Sequence, residues 1–237
     1  MKLSIIIPVY NEKLLLREII TRCLTAPIPQ GFNEREIIVV DDGSSDGTTE
    51  LLKSLPFDAA VKVHHSHINH GKGCAVRVGF KISTGDVIII QDGDMEYDPI
   101  VNYEGILVPF TKNKDIQVVY GSRFLDRPWP QGMKLSNLIA NYILTWSTRV
   151  LYNCRITDEA TGYKVFRKDV LDLFKINARG FEFCPEFTAK VLRAGLKIEE
   201  VPICYNARNQ FNGKKIKARD GFIALWTLIK VRIQPTI

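Results

Sequence analysis

The chain has 237 residues and a formal net charge of +6, from 32 basic and 26 acidic side chains. Hydrophobic residues make up 46% and charged residues 24%, ordinary for a globular protein with a sizeable core, which excludes collagenous, low-complexity and disordered chains. No apolar stretch approaches the roughly 20 residues of a membrane-spanning helix. The first apolar run is too short for a signal peptide and ends at Pro8.

Cys23, Cys74, Cys154, Cys184 and Cys204 are scattered and lack C-x-x-C spacing, the pattern of reduced, buried thiols in a cytoplasmic protein. His64, His65, His67 and His70 crowd one region, but no Cys or carboxylate joins them at ligand spacing, so no zinc site is expected. Beyond Asn206, Arg208, Lys214, Lys215, Lys217, Arg219, Lys230 and Arg232 face Asp220 alone, so the C-terminal segment carries the positive excess. Such a segment suits an anionic membrane surface or a polyphosphate ligand. Nucleic acid is not expected, since no recognition motif accompanies the charge. Nothing in the sequence specifies an oligomer.

Residues 3–9 read as a first strand, apolar throughout and so covered on both faces. Apolar positions 15, 16, 19, 20 and 24 then predict a helix, ended by Pro27 and Pro29. A second strand over 36–40 closes in Asp41-Asp42-Gly43-Ser44-Ser45-Asp46-Gly47-Thr48 and leads to a helix with a Ser or Asp cap. Capping explains one of these carboxylates, not three. A third strand over 61–64 precedes Gly71-Lys72-Gly73 at a helix start. These residues read either as a tight loop-to-helix turn or as a phosphate cradle, without the spacing of a Walker loop.

The fourth strand, 87–90, ends in Gln91-Asp92-Gly93-Asp94-Met95-Glu96. Asp92, Asp94 and Glu96 alternate and would share one face in extended backbone. Carboxylates crowded in this way repel unless a cation sits among them or one takes up a proton. A hard divalent cation is the sharper reading and a polar turn the plainer one.

A helix from Asp98-Pro99 and a strand over 116–120 follow, ending in Gly121-Ser122-Arg123. The β-α alternation predicts a parallel sheet wound with right-handed crossovers. Glu12, Asp41, Asp42, Asp92, Asp94 and Arg123 all follow strands and so fall on one edge, where open α/β sheets bind ligands. Residues 135–152 predict a long helix with an apolar side, suited to the core, an interface or lipid. A strand over 164–166, helices over 170–174 and 181–194, and a last strand over 198–205 come next, with Pro202 placing that strand near an edge. An apolar helix over 221–233 ends in basic residues and either packs on the domain or lies at a membrane interface.

In order, Ser4-Ile5-Ile6-Ile7-Pro8-Val9-Tyr10-Asn11-Glu12, the Asp41–Thr48 segment, Gly71-Lys72-Gly73, Asp92-Gly93-Asp94 with Glu96, Gly121-Ser122-Arg123, and Thr157-Asp158-Glu159-Ala160-Thr161-Gly162-Tyr163 resemble the family 2 glycosyltransferases. The likeness covers essentially the whole chain. It is nearest to the branch that makes dolichyl- or polyprenyl-phosphate mannose and glucose. The resemblance implies a single-domain GT-A fold, an α/β Rossmann-like, mostly parallel sheet flanked by helices. A transferase domain would span 1–205, with a nucleotide-sugar half (1–123) and an acceptor half (124–205). Residues 206–237 would form the basic loop and a helix packed on the domain or a membrane.

The resemblance also implies site roles. Pro8, Tyr10 and Glu12 would line the nucleoside pocket, with Asp41 and Asp42 at the base or ribose and Lys72 beside the donor. Asp92 and Asp94 flank Gly93, which stands where the branch usually has Ala, and with Glu96 would hold Mg²⁺ or Mn²⁺ at the diphosphate. Arg123 would meet the acceptor phosphate or the developing charge, and Lys134 stands nearest the branch's basic acceptor-loop position. Arg208, Lys214 and Lys215 would close over the diphosphate. Two acceptor classes follow. A polyprenyl phosphate is already anionic at neutral pH, because a phosphomonoester's second pKa is about 6, and needs no base. A saccharide or peptide hydroxyl needs one, and Asp158 is its candidate. The first class implies a cytoplasmic enzyme peripheral to the membrane.

Overall fold

The computed structural model describes residues 1–207 and 218–235. Strand β1 (Lys2–Val9) lies in the middle of a seven-stranded sheet, parallel to β2 (Glu34–Asp41) on one side and β4 (Val87–Ile90) on the other. The strand β3 (Val61–His65) continues beside β2, also parallel. Alternate residues of these strands enter opposite cores, as the period of two requires. Leu3, Ile5, Ile7, Ile37, Val39 and Ile89 face helices α1 (Leu16–Thr25) and α4 (Pro99–Lys112). Ile6, Ile38, Val40, Ile88 and Ile90 face α3 (Lys72–Ile82) and α6 (Phe183–Arg193). The sheet is thus covered on both faces, which explains its unbroken apolar strands.

The far half departs from the expected winding. Strand β6 (Lys164–Arg167) runs antiparallel between β4 and β5 (Val118–Ser122), and β7 (Ile198–Pro202) adds in parallel outside β5. The full order is β3-β2-β1-β4-β6-β5-β7. The cause is α5 (Leu135–Tyr152), which is not a crossover helix. It packs against α6 and α7 (Ala218–Ile233) instead of returning the chain to the opposite edge. The chain therefore re-enters the sheet from the edge it left, and residues 157–163 arrive among the strand ends. Pro202 lies at the end of an edge strand, as anticipated.

Local signals explain most element ends. The Asp98 carboxylate accepts the Ile100 N–H at 3.0 Å and Pro99 takes the first helical position of α4. Helix α2 (Thr48–Ser54) instead starts after Gly47 at φ +92°, and Asp46 accepts from the Thr48 N–H and hydroxyl. The helix expected over 170–174 is a single 3₁₀ turn, Lys168–Asp172.

The outward side of α5 is apolar. Leu138, Thr145 and Thr148 point inward, while Ile139, Tyr142, Ile143, Trp146 and Val150 are exposed. Leu228 and Val231 of α7 pack with Ala189 of α6, and the Tyr152 hydroxyl donates to the Leu228 carbonyl at 2.6 Å. Phe222, Ile223, Trp226 and Ile229 of α7 remain exposed. Among the described residues, no helix is long and apolar enough to cross a membrane.

Candidate active site

The parallel strands end on one edge, and their loops are stitched together there. Asn11, at φ +54°, donates its N–H to the Ser44 hydroxyl and accepts the Ser45 N–H. The Glu12 N–H donates to Thr48 Oγ1 at 3.1 Å. The segment holding Pro8, Tyr10 and Glu12 is thereby fastened to the loop after Asp41 and Asp42. Both of these aspartates are buried and engaged within the protein. Asp41 accepts from the Ser44 N–H and the Thr49 hydroxyl and lies 3.2 Å from His65 Nδ1. Burial pushes its pKa up, but these hydrogen bonds outweigh it and hold the carboxyl below its ordinary range. Asp42 accepts the N–H groups of His70 and Gly71 at 2.9 and 2.7 Å.

That arrangement bears on the two readings of Gly71-Lys72-Gly73. Two amides at the start of α3 are already taken by Asp42, and the Cys74 N–H donates to the Arg179 carbonyl. A Cβ on Gly71 would lie 2.5 Å from the Arg179 carbonyl oxygen, and one on Gly73 would lie 2.7 Å from that of Ala178. The glycines serve close packing against residues 178–180, as a tight loop-to-helix turn requires. Lys72 points elsewhere: its Nζ lies 2.5 Å from Asp92 Oδ1. Burial lowers the ammonium's pKa, but Asp92, with Asp94 further off, more than offsets this and raises it.

The carboxylate segment is a turn rather than an extended strand, so the expected common face of Asp92, Asp94 and Glu96 is not formed. Met95 takes φ +60°, and the Glu96 N–H donates to Asp94 Oδ1 at 3.2 Å. Among the described residues, no three His, Cys, Asp or Glu side chains converge as a metal cage. Beneath the turn lies Gln91, fully buried, which the sequence reading passed over. Its amide nitrogen donates to the carbonyls of Asp92 and Tyr97, both at 3.0 Å, spanning the turn from end to end. Its Oε1 accepts from the hydroxyls of Tyr103 and Tyr163. A polar side chain closing an apolar strand was the available signal.

On the other side stands Arg123, just past β5. It binds Asp158 in a two-pronged pair at 2.7 Å per contact, and both side chains are almost fully buried. Burial lowers the guanidinium's pKa, but Asp158 reverses the shift and keeps it above the ordinary value. Glu200 on β7, also missed, accepts the N–H groups of Thr157 and Asp158 and so fixes the loop that carries the aspartate. Arg123 Cζ lies 5.6 Å from the ring centroids of Phe124 and Tyr205. The Tyr205 phenol is pushed up to about 12, by burial first and then by Glu96, with Arg123 opposing. The Asn206 N–H donates to the Glu96 carbonyl at 2.9 Å. The turn, Arg123 and the start of the basic segment therefore meet around Tyr205. Lys134 is exposed in the residue just before α5, and Gly132, two residues earlier, faces Ala207. Arg208, Lys214 and Lys215 lie outside the described residues.

An apolar groove of about 540 Å³ opens beside this cluster. Phe124, Pro128, Tyr142, Ile143 and Trp146 wall it, and Thr145, Arg149 and Thr157 supply its polar groups. Phe124 and Thr157 are chain neighbours of Arg123 and Asp158, so the groove runs up to the buried pair.

A mostly parallel sheet with one antiparallel insertion, carrying a D-x-D turn and a buried arginine at its ligand-binding edge, defines a GT-A glycosyltransferase domain. The model of glycosyl transferase family 2 matches residues 4–174, and the chain belongs to that family. It is 33% identical over 219 residues to a dolichol-phosphate mannosyltransferase of Pyrococcus furiosus, covering 90% of this chain and 59% of that protein. It thus spans somewhat over half of that relative's length. It is 29% identical to a polyprenol monophosphomannose synthase of Mycolicibacterium smegmatis, covering 94% of this chain and 85% of the relative. An undecaprenyl-phosphate mannosyltransferase of Micrococcus luteus is 30% identical, over 88% and 85%. In fold the chain is similar to glucosyl-3-phosphoglycerate synthase of Mycobacterium tuberculosis, solved with Mn²⁺, UDP and product. The TM-score is 0.72 at 20% identity, covering 99% of this chain and 81% of the other.

Proposed function

We propose that this domain transfers a hexose, mannose by the names of its relatives, from a nucleotide-sugar to a polyprenyl phosphate with inversion at the anomeric carbon. The observation that carries the reading is the buried Arg123–Asp158 pair at the head of an apolar groove. A cation at the end of a greasy channel suits a lipid phosphate better than a sugar hydroxyl. The hydroxyl-acceptor alternative needs Asp158 as a general base, yet both of its oxygens already accept from Arg123.

Hard carboxylate oxygens at a strand end fit Mg²⁺ or Mn²⁺. Such ions commonly take one or two carboxylates plus substrate phosphates and need no complete protein cage. Asp92, Asp94 and Glu96 are the residues that would hold the ion, which when bound neutralises charge on the departing nucleoside diphosphate. Lys72 adds a point charge at the same place, and Arg208, Lys214 and Lys215 would close over the diphosphate. Pro8, Tyr10, Glu12, Asp41 and Asp42 shape the nucleoside end, the two aspartates chiefly by fixing its loops. Arg123 would orient the acceptor phosphate, with Lys134 as a further basic residue for the acceptor.

The outer faces of α5 and α7 would rest on the cytoplasmic membrane surface. Trp146, Phe222 and Trp226 are 66%, 76% and 61% exposed, and Arg219, Lys230 and Arg232 lie on the same terminal helix. The test is a donor screen with labelled GDP-mannose and UDP-glucose, a short-chain polyprenyl phosphate and Mn²⁺. Label is expected in the organic phase and its entry should stop on chelation. No label in lipid with any donor would end this reading.

A further inference from the structure

The Lys72–Asp92 contact places one cation on the carboxylate that the proposed reaction assigns to another. Asp92 has two oxygens. Lys72 Nζ lies 2.5 Å from Oδ1, and Oδ2 is packed so closely on Gly162 that a Cβ there would stand 2.6 Å away. The Asp92 backbone is held as well, because its carbonyl accepts from Gln91. A metal ion approaching Oδ1 thus meets the Lys72 ammonium, while Oδ2 lies against Gly162.

The backbone of Lys72 is equally fixed. Gly71 and Gly73 on either side press against residues 178–180, and Asp42 takes the amides just before it. Behind them, the buried Glu186 carboxylate accepts the N–H groups of Asn177 and Ala178 and pairs with Lys190. The freedom that remains lies in the four-carbon stem, on which the ammonium can swing to any anion within reach. A donor diphosphate arriving beside Asp92 is such an anion and carries more charge than one carboxylate.

We propose that Lys72 is an internal counter-ion of Asp92, which excludes the divalent cation from the empty site and leaves for the donor's phosphates when they arrive. Cation and donor then bind as a coupled pair. The inference rests on the reading of the carboxylate turn as the metal and diphosphate site. In the absence of donor, Lys72 keeps the aspartate oriented and unavailable. Once the donor is seated, the same ammonium contributes to holding it.

The experiment measures Mn²⁺ binding by electron paramagnetic resonance, without nucleotide and with GDP or UDP, in wild type, Lys72→Met and Lys72→Arg. Circular dichroism and melting confirm that each variant folds. Wild type should bind Mn²⁺ weakly alone and much more tightly with the matching nucleoside diphosphate. Lys72→Met should bind Mn²⁺ alone more tightly by about tenfold or more, the scale on which removal of a neighbouring like charge acts. It should also show less gain from nucleotide. Lys72→Arg, which keeps the charge, should stay close to wild type. If wild type binds Mn²⁺ with nucleotide but Lys72→Met is no tighter than wild type without it, the counter-ion role is overturned and the metal site stands. If no protein binds Mn²⁺ under any condition, the metal reading fails and the inference with it.

Discussion

The Arg123 guanidinium grips Asp158 through two parallel hydrogen bonds, Nε to Oδ2 and Nη2 to Oδ1, each 2.7 Å long. The two residues are 35 positions apart in the chain, and the pair is buried from water. Under the proposed function, Asp158 would act on the reaction by aiming Arg123. Asp158→Asn should cost about 3–5 kcal/mol of stability, since a buried charge loses its counter-charge. Chemical denaturation measures that loss. A double-mutant cycle with Arg123→Gln separates the two roles. If Asp158 works through Arg123, adding Asp158→Asn to Arg123→Gln lowers kcat little further. A base role predicts a second large drop.

Gln91 makes four hydrogen bonds under the carboxylate turn. Replacing it by Leu takes one partner from each of two tyrosine hydroxyls and two carbonyls, though Tyr103 keeps Cys23 and Tyr163 keeps the Tyr97 carbonyl. The expected cost is about 2–3 kcal/mol in urea unfolding. Amide hydrogen exchange should quicken over residues 92–97, and KM for the donor should rise more than kcat falls.

Two glycines should respond differently to the same change. At Gly162 a Cβ would lie 2.6 Å from Asp92 Oδ2 and 3.0 Å from the Tyr97 ring, so Gly162→Ala should displace the Asp92 carboxylate and bind metal and donor poorly, at some cost in Tm. At Gly73 it meets the backbone at Ala178, which is fixed, so Gly73→Ala should lose stability first. Parallel melting and calorimetric titration of the two variants check this.

Glu36 is buried at the opposite edge of the sheet, where it accepts from Ser4, Lys62 and Thr84. Burial alone raises its pKa, but these partners lower it from 4.5 to about 2. A carboxyl more acidic in the folded than in the unfolded chain stabilises the fold above pH 4.5, and that stabilisation is lost as the pH falls toward 2. Glu36→Gln should lower stability at neutral pH and flatten its pH dependence over that window. Denaturation midpoints across the range measure both effects.

Phe222 and Trp226 project from α7 away from the domain. The double change to Ala should reduce sedimentation with anionic vesicles several-fold while leaving Tm unchanged. Unaltered vesicle binding would remove α7 from the membrane contact.

Much of this was legible in the sequence because it depends on neighbours in the chain. The apolar strands, the Asp98-Pro99 helix start and the gathering of polar residues after strands are all local signals. The placement of β6 was not legible, because it turns on where α5 packs, and α5's apolar side suits a core, an interface or lipid alike. Many of these residues face outward. The carboxylates of the D-x-D segment are plain in the sequence, but their common face requires extended backbone, and Met95 at φ +60° breaks it. The roles of Gln91 and Glu200 were not legible because they lie in partners far along the chain: Tyr163 for one, Asp158 for the other.

The position of β6 also bears on how the chain can be built. Within residues 1–123, β4 and β5 have no strand between them, and neither touches the other in the finished sheet. During vectorial synthesis, β4 presents an open edge until residues 164–167 emerge some 75 residues later. A ribosome-bound intermediate should therefore carry a half-built sheet whose missing rung is supplied late. Truncation anywhere before Arg167 should yield a sticky, chaperone-dependent fragment rather than a small working domain.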